Sequence, residues 1–528
     1  MYLFRIFSIM SIAFFLSACS HKTPESSTNK QTSFTKLPKH KAPLLTHLRK
    51  TDKALANKSA FYPLVAPADA FAARLFLIDH ATTSLDVQYY IYNKDDEFGK
   101  VFSGHLLMAA ERGVRVRILM DDLTTSGKDK QWQELVSHPN IELRLFNPNS
   151  FRTSFRNLAL LFNVGQLGKR MHNKALIADG AAAIIGGRNI GDDYFASGSK
   201  RLFLDYDILT IGSVVPDIYK SFDLYWNSNE AVPSEDILAH VDPRSYHSLQ
   251  KEFKQVIYNF EKSLSGKAIR QSPFNQQVSQ NTLKLTVAKQ TEFYYDLPSK
   301  VSTDQKDTAN HISTEVKEEL SDVQKDLMII SPYFVPSEEM MLGLKKDRER
   351  GVKVTIIANS LSSTDVFPVY SGYQDDIKSL VEMGVDLYEL KPHSFKTLLN
   401  ITEWANPNSL SLHTKMIISD DSRLGVGSAN IDPRSDKLNT ELFMIIHSSK
   451  LVKAERKVLN EILNLENFYK LSWGKDPYGS DEEMTYSGPI WHTLEDGKEK
   501  TYYSPPHAGF WKTLGTNILS LLPIKGYL

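Results

Sequence analysis

MHNKALIAD at residues 171–179 and LHTKMIISD at residues 412–420 carry one pattern, His-x-Lys-x-x-x-x-Asp, in copies 241 positions apart. Each copy is followed by a pair of small residues and then an Asn: Gly186-Gly187-x-Asn189 and Gly427-Ser428-x-Asn430. A single match arises by accident in roughly 4% of chains of this length. Two matches sharing the same downstream residues do not. In both runs His and Lys stand two apart in a β-prone stretch, which puts them on one face of a strand. Asp179-Gly180 reads as a two-residue hairpin turn, with Asp420-Asp421 at the matching place. A turn centred there pairs His172 with Gly187 and His413 with Ser428, leaving Asn189 and Asn430 just past the strand end. Each unit offers an imidazole, an ammonium, a side-chain amide and open backbone N–H groups, the parts needed to hold and attack a phosphate.

Other segments repeat as well. ERGVRVRIL (111–119) and ERGVKVTII (349–357) match closely, and each reads as a helix end followed by a buried strand. SLDVQYYIY (84–92) and LMIISPYFV (327–335) supply an earlier apolar strand in each half. Each half therefore runs strand, helix, strand, motif hairpin, helix. That order predicts an α/β fold, a sheet flanked by helices in each of two homologous domains, with one composite active site where the motifs meet.

The duplicated pattern resembles the HKD motif of the phospholipase D superfamily. SLDVQYYIYNKDDEFG, AAERGVRVRILMDD and RMHNKALIADGAAAIIGGRNIGDDYF are similar to the first half of C-type bacterial cardiolipin synthases. ISPYFVPS, RGVKVTIIANSLSSTDVFPVYSGY and LHTKMIISDDSRLGVGSANIDPRS are similar to the second half, and the closing LLPIKGYL to that group's tail.

The resemblance implies a two-step displacement at a phosphodiester. His172 forms a phosphohistidine; His413 protonates the leaving alcohol and then deprotonates the acceptor. Lys174 and Lys415, with Asn189 and Asn430, stabilise charge on the non-bridging oxygens, so neither a metal nor another cofactor is expected. Asp179 and Asp420 belong to the motif but lie at the turns and are expected to be structural. A separate acid orients each His through its other ring nitrogen, as in other His-based sites. Glu441 in NTELFMII fits the second half. Asp205 in LDYDILTI fits the first, with Asp207 as the alternative and a plain strand-end acid as the bland reading. The Gly187/Ser428 difference breaks the symmetry and suits unequal roles. Asp121-Asp122 follows a strand, either at the carboxyl edge where α/β sites lie or as a helix cap. Tyr89, Tyr90, Tyr333 and Phe334 line up across the repeats as core or pocket wall.

The 528 residues suffice for two domains, and Lys+Arg and Asp+Glu are 62 each, so no global basic field points to nucleic acid. MYLFRIFSIMSIAFFLSAC suits a signal peptide, and Leu16-Ser17-Ala18-Cys19 resembles a bacterial lipoprotein box. Cys19 is the one cysteine, which excludes disulfides and a Cys metal site. Ser20 after it favours the outer membrane of the cell envelope by the usual sorting rule. The expected layout is a signal peptide (1–19), a flexible tether (20–60), a first phospholipase D-like domain (61–227), a polar helical connector (228–310), a second domain (311–500) and a tail helix (501–528). KLTVAKQTEFYYD adds a strand to the connector. In FWKTLGTNILSLL, Trp511, Leu514, Ile518 and Leu521 share one helical face, expected to dock on the domain rather than lie in a bilayer.

The leading expectation is a lipid-anchored phosphatidyltransferase that makes cardiolipin from phosphatidylglycerol and a second phospholipid such as phosphatidylethanolamine, working at a membrane surface. Alternatives are a hydrolytic phospholipase D, an HKD endonuclease and a non-catalytic binding protein. The double motif disfavours the last two. Oligomeric state is not legible in the sequence.

Overall fold

The structure is a computed structural model that describes residues 30–48, 55, 57–125, 127–149, 168–195, 201–303, 311–394, 407–475, 487–521 and 525–527. The signal peptide and Cys19 lie outside the described residues.

The first half contributes strands β1 (Ser59–Leu64), β2 (Ser84–Tyr89), β3 (Arg115–Asp121), β4 (Ile141–Phe146), β5 (Ala175–Ala178), β6 (Ala182–Gly186), β7 (Arg201–Leu204), β8 (Asp207–Gly212), β9 (Ala231–Pro233) and β10 (Thr286–Val287). The second contributes β11 (Gln290–Tyr295), β12 (Asp326–Ile330), β13 (Lys353–Asn359), β14 (Asp386–Leu390), β15 (Ser409–Leu412), β16 (Met416–Ser419), β17 (Arg423–Gly427), β18 (Leu442–His447), β19 (Phe468–Lys475), β20 (Ser487–Glu495) and β21 (Lys498–Tyr502). They form two mixed sheets, in the orders β10-β1-β8-β6-β5-β2-β3-β4-β9 and β11-β18-β17-β16-β12-β13-β14-β19-β20-β21. In each sheet the helix-linked strands are parallel (β2, β3, β4; β12, β13, β14), as a crossover demands, and the motif hairpin joins antiparallel. Gly113 and Gly351 end the equivalent helices at φ of 90° and 86°, a left-handed turn that a side chain would strain.

Both faces of each sheet are buried, which explains why the motif strands read as apolar runs rather than alternating ones. Leu176 and Ile184 face a core belonging to the first half, and Ile417 and Ile329 one belonging to the second. The opposite faces, with Ile177, Ile185, Met416 and Ile418, share a third core drawn from both halves. The sheets thus pack on each other and bring the motifs together. β7 and β15 pair in parallel as a separate two-stranded sheet across the halves.

Several expectations need correction. The motif hairpins pair Ala178 with Ala182 and Ser419 with Arg423, leaving three-residue loops instead of two, so the register is one residue off. Asp179 and Asp420 take positive φ (54° and 51°), which Asp tolerates in turns. The strands β5 and β16 begin only after the Lys, so His and Lys of each motif sit on an extended lead-in rather than within a strand. The tether does not hold in its described part: Leu44, Leu45 and Leu48 are buried, and the Thr35 amide donates to Asp223 and its hydroxyl to Asp86. The connector is helical where expected, with Tyr246–Lys262 packing Phe253 and Phe260 into the first core, but KLTVAKQTEFYYD makes two strands, one at the edge of each sheet. The tail helix Phe510–Ser520 does dock, through Thr516 and Gly515, but Trp511, Leu514, Ile518 and Leu521 face away from the protein.

Candidate active site

Two lead-in segments cross from one half to the other. The His172 amide donates to the Thr440 carbonyl at 2.9 Å, and the His413 amide to the Leu204 carbonyl at 2.7 Å. Each motif His therefore lies against the strand end of the opposite half, and its acid comes from there. His172 Nδ1 stands 2.9 Å from a Glu441 carboxylate oxygen, and His413 Nδ1 stands 2.5 Å from Asp205 Oδ2. The acids are the two expected, but the pairing is crossed: Glu441 serves the first motif and Asp205 the second. Asp207, the alternative, is held instead by Arg74 at 2.9 Å and Arg188 at 3.2 Å.

The dyads differ in what surrounds the acid. Glu441 also accepts hydrogen bonds from the Ser428 hydroxyl at 2.5 Å and the Ser435 hydroxyl at 2.8 Å. The position equivalent to Ser428 is Gly187, where a Cβ would stand 2.1 Å from Asp205 Oδ1. The Gly/Ser asymmetry thus has a physical origin: Asp205 occupies the space that a side chain would need. Burial works to raise Glu441, but the His172 ring, Lys174 and the Ser428 hydroxyl outweigh it and hold the carboxyl below its usual range. Burial raises Asp205, against Lys415 and Arg188.

The two imidazoles and the two ammonium groups of the motifs are all buried. Burial holds His172 down to about 4, with Lys174 adding and Glu441 opposing. Burial, Lys415 and Lys174 depress His413 well below the ordinary imidazole range. Lys174 is lowered to about 7 and Lys415 to about 8, burial being the main cause in each. Each ammonium donates back to the carbonyl of its own motif His, at 2.5 Å for Lys174 and 2.6 Å for Lys415. An anion entering this site meets positive charge whose cost of burial it offsets. Tyr90 stacks edge-on against His172 at 4.9 Å and forms a wall of the site, while Tyr89 and Phe334 belong to the core. Tyr194 and Phe203 flank His413 at 5.4 and 5.1 Å.

The remaining motif residues divide. The Asp179 carboxylate accepts from the amides of Thr82, Thr83 and Ser84, and Asp420 from those of Gln324, Lys325 and Asp326. Each pins the chain entering the central strand of its sheet, away from the imidazoles. Asn189 is committed to structure: its carbonyl accepts from Ile91 N–H at 3.0 Å and its amide donates to Tyr194 at 2.7 Å. Among the described residues the Asn430 carbonyl oxygen has no partner, so the second Asn is not locked through both ends of its amide as Asn189 is.

Asp121 proves structural to the site, its carboxylate accepting the Met171 amide at 2.9 Å just before His172. Burial raises it to about 6, against Arg170. Asp122 accepts the Asn149 amide at 2.9 Å. Sequence reasoning missed three contributors. Ser435 was findable, since Asp432-Pro433 marks a helix start and Ser435 sits in its first turn. Asp296, which accepts the Glu441 amide at 2.9 Å and pairs with Lys300, gave no sequence signal. Nor did Asp365, whose charge reaches His413 and Lys415 and whose carboxylate accepts the Tyr333 hydroxyl at 2.9 Å. Among the described residues no group of three His, Cys, Asp or Glu is placed to share a metal ion.

Two oriented imidazoles beside two buried ammonium groups can take up a phosphodiester and exchange its alcohol. Comparison with known proteins agrees. Residues 75–226 and 316–463 match the family model described as cardiolipin synthase, PLD-like domain. Cardiolipin synthase C of Escherichia coli K12 is 35% identical over 89% of this chain and 97% of its own length. An uncharacterized protein of Helicobacter pylori 26695 is 31% identical over 98% of this chain and 99% of its own. The crystal structure of phosphatidylserine synthase from Haemophilus influenzae Rd KW20 shares the fold at a TM-score of 0.53 and 15% identity, covering 79% of this chain and 90% of that one.

Proposed function

Because this chain belongs to the cardiolipin synthase, phospholipase D-like family and is a phosphatidyltransferase of phospholipids, we propose that it makes cardiolipin, transferring a phosphatidyl group from phosphatidylglycerol or phosphatidylethanolamine to the free hydroxyl of a second phosphatidylglycerol. The naming of the Escherichia coli relative supports the product. The crossed His–acid dyads with two buried lysines carry the chemistry.

The unequal acids support the order of roles. Glu441, a carboxylate that also accepts from two serine hydroxyls, keeps the proton of neutral His172 on Nδ1 and leaves the Nε2 lone pair free to attack. Asp205 accepts from no hydroxyl among the described residues; burial raises it, and it lies 2.5 Å from His413 Nδ1, a geometry in which the pair can hold a second proton. A dyad with that extra proton keeps an N–H on Nε2 as a general acid. In the first step His172 Nε2 bonds to phosphorus, the P–O bond to the head-group alcohol breaks, and His413 Nε2 gives that oxygen its proton. In the second, His413 takes the proton of the acceptor hydroxyl, the acceptor oxygen bonds to phosphorus, and the P–N bond breaks. Lys174, Lys415 and Asn430 hold the non-bridging oxygens throughout. The enzyme works from the bacterial cell envelope, anchored through lipidated Cys19 to the outer membrane, a reading supported by the leader and by Ser20.

The test is incubation of the full chain with mixed phosphatidylglycerol/phosphatidylethanolamine vesicles in excess chelator, with the lipids resolved by mass spectrometry. Cardiolipin formed by wild type and by neither His172→Ala nor His413→Ala is the expected result. Phosphatidate without cardiolipin would make water the acceptor and the protein a hydrolase.

A further inference from the structure

The tail helix Phe510–Ser520 leaves its apolar side bare. Phe510, Trp511, Ile518 and Leu521 are 71%, 79%, 53% and 84% exposed, and Leu514 is 39% exposed. The opposite side is fixed to the protein. Thr516 is fully buried, Gly515 backs onto the ring of Phe367, and Lys512 Nζ donates to the Thr364 carbonyl at 2.8 Å. Lys525, just beyond, pairs with Asp376 at 2.8 Å. An aromatic and aliphatic stripe held rigidly outward is not the ordinary scatter of surface apolar residues.

Its position suggests what covers it. Thr364, which anchors the helix, precedes Asp365, and the charge of Asp365 reaches His413 and Lys415. Val366, the next residue, is 36% exposed and extends the apolar surface toward the site. Residues 503–528 contain no Asp or Glu that a phosphate surface would repel, and their two lysines, Lys512 and Lys525, are engaged by the protein. An apolar stripe with a Trp at its edge and no acid in the tail, beside a site that acts on phospholipids, fits the head-group region of a bilayer, not an aqueous surface.

We propose that the helix Phe510–Ser520 lies in the lipid–water interface, inserting Phe510, Trp511, Leu514, Ile518 and Leu521 into a phospholipid bilayer and setting the mouth of the active site at the level of the phosphodiesters. This rests on the phosphatidyl-transfer reading for its purpose, but not for its physics. The helix grips the membrane surface and makes no span.

The full chain is reconstituted into phosphatidylglycerol/phosphatidylethanolamine vesicles, and the wild-type emission minus that of Trp511→Phe isolates Trp511. A blue-shifted difference spectrum, quenched by lipids brominated on the acyl chains, is the expected result. In parallel, the W511S/L514S/I518S variant is assayed on vesicles and on short-chain phosphatidylglycerol below its micelle concentration. Turnover on vesicles is expected to fall about 10-fold or more, while turnover of the monomeric lipid stays within about 2-fold of wild type. A Trp511 spectrum unmoved by vesicles, or an equal fall on both substrates, overturns the proposal. So does a blue shift that grows with protein concentration in the absence of lipid, which would make a second copy the occupant. Wild type that turns over neither vesicle nor monomeric lipid refutes phosphatidyl transfer instead, and the spectrum still decides the helix.

Discussion

Replacing Glu441 by Gln keeps the shape of the acid that orients His172 and removes its charge. When His172 bonds to phosphorus its ring becomes cationic, with Glu441 hydrogen-bonded to Nδ1 at 2.9 Å and fully buried. With charge centres about 4 Å apart and an effective dielectric near 20, that carboxylate stabilises the ring by about 4 kcal/mol. The amide recovers about 1 kcal/mol through its retained hydrogen bond. The difference of about 3 kcal/mol predicts adduct formation slower by about 10²-fold. The assay is a rapid-mixing burst with phosphatidyl-p-nitrophenol, whose leaving group needs no proton. Glu441→Gln is expected to slow the p-nitrophenolate burst by that factor. Asp205→Asn, which acts on the general acid His413, is expected to leave the burst within a few-fold of wild type and to slow turnover of natural lipids. The serine hydroxyls can rotate to accept from the amide, so a shared thermal midpoint separates chemistry from folding. A burst slowed by Asp205→Asn and untouched by Glu441→Gln would refute the crossed assignment.

Gly187→Ala forces a Cβ to 2.1 Å from Asp205 Oδ1 and should displace the acid from His413. The expected result is a loss of about 10²-fold or more in lipid turnover, read by mass spectrometry, with the burst on the activated substrate largely retained. The pH profile of kcat/KM follows from the free site. His172 must be neutral, so activity rises as pH climbs through about 4; Lys174 must be charged, so it falls as pH climbs through about 7. Lys174→Arg should move only the alkaline limb, to higher pH. Leu44→Ala removes a fully buried side chain from the stretch read as tether and should cost about 3 kcal/mol in denaturant unfolding. No change would mean that the stretch does not pack.

The fold was legible because its signals are local and repeated. Two copies of RGV before an apolar strand and two apolar motif strands specify parallel strands and a hairpin, whichever sheet receives them. The register slipped by one because Asp179-Gly180 announces a two-residue turn, while the left-handed Asp179 and Gly180 are followed by an extra loop residue, Ala181. Both acids were found because each is a carboxylate at a strand edge in an otherwise apolar run, although Asp207 stood as a second choice beside Asp205. Their partners were not, since the contacts join residues 269 and 208 positions apart through the packing of two sheets. Symmetry also misled: it assigned equal roles to Asn189 and Asn430, yet Tyr194 and the Ile91 amide engage only Asn189. The tail helix was read correctly as amphipathic, but periodicity cannot tell which face meets protein when small residues such as Gly515 and Thr516 provide the close approach.

The covalent intermediate tests the composite site most directly. His413→Ala, given phosphatidyl-p-nitrophenol, can form the phosphohistidine without a general acid but lacks the base that activates an acceptor, so the adduct should accumulate. Digestion at neutral pH and mass spectrometry are expected to find a phosphatidyl group on the peptide containing His172, and none on any peptide of His172→Ala. An adduct on His413 in His172→Ala would reverse the roles of the two motifs. No adduct in either variant, with p-nitrophenolate still released, would contradict the double-displacement account.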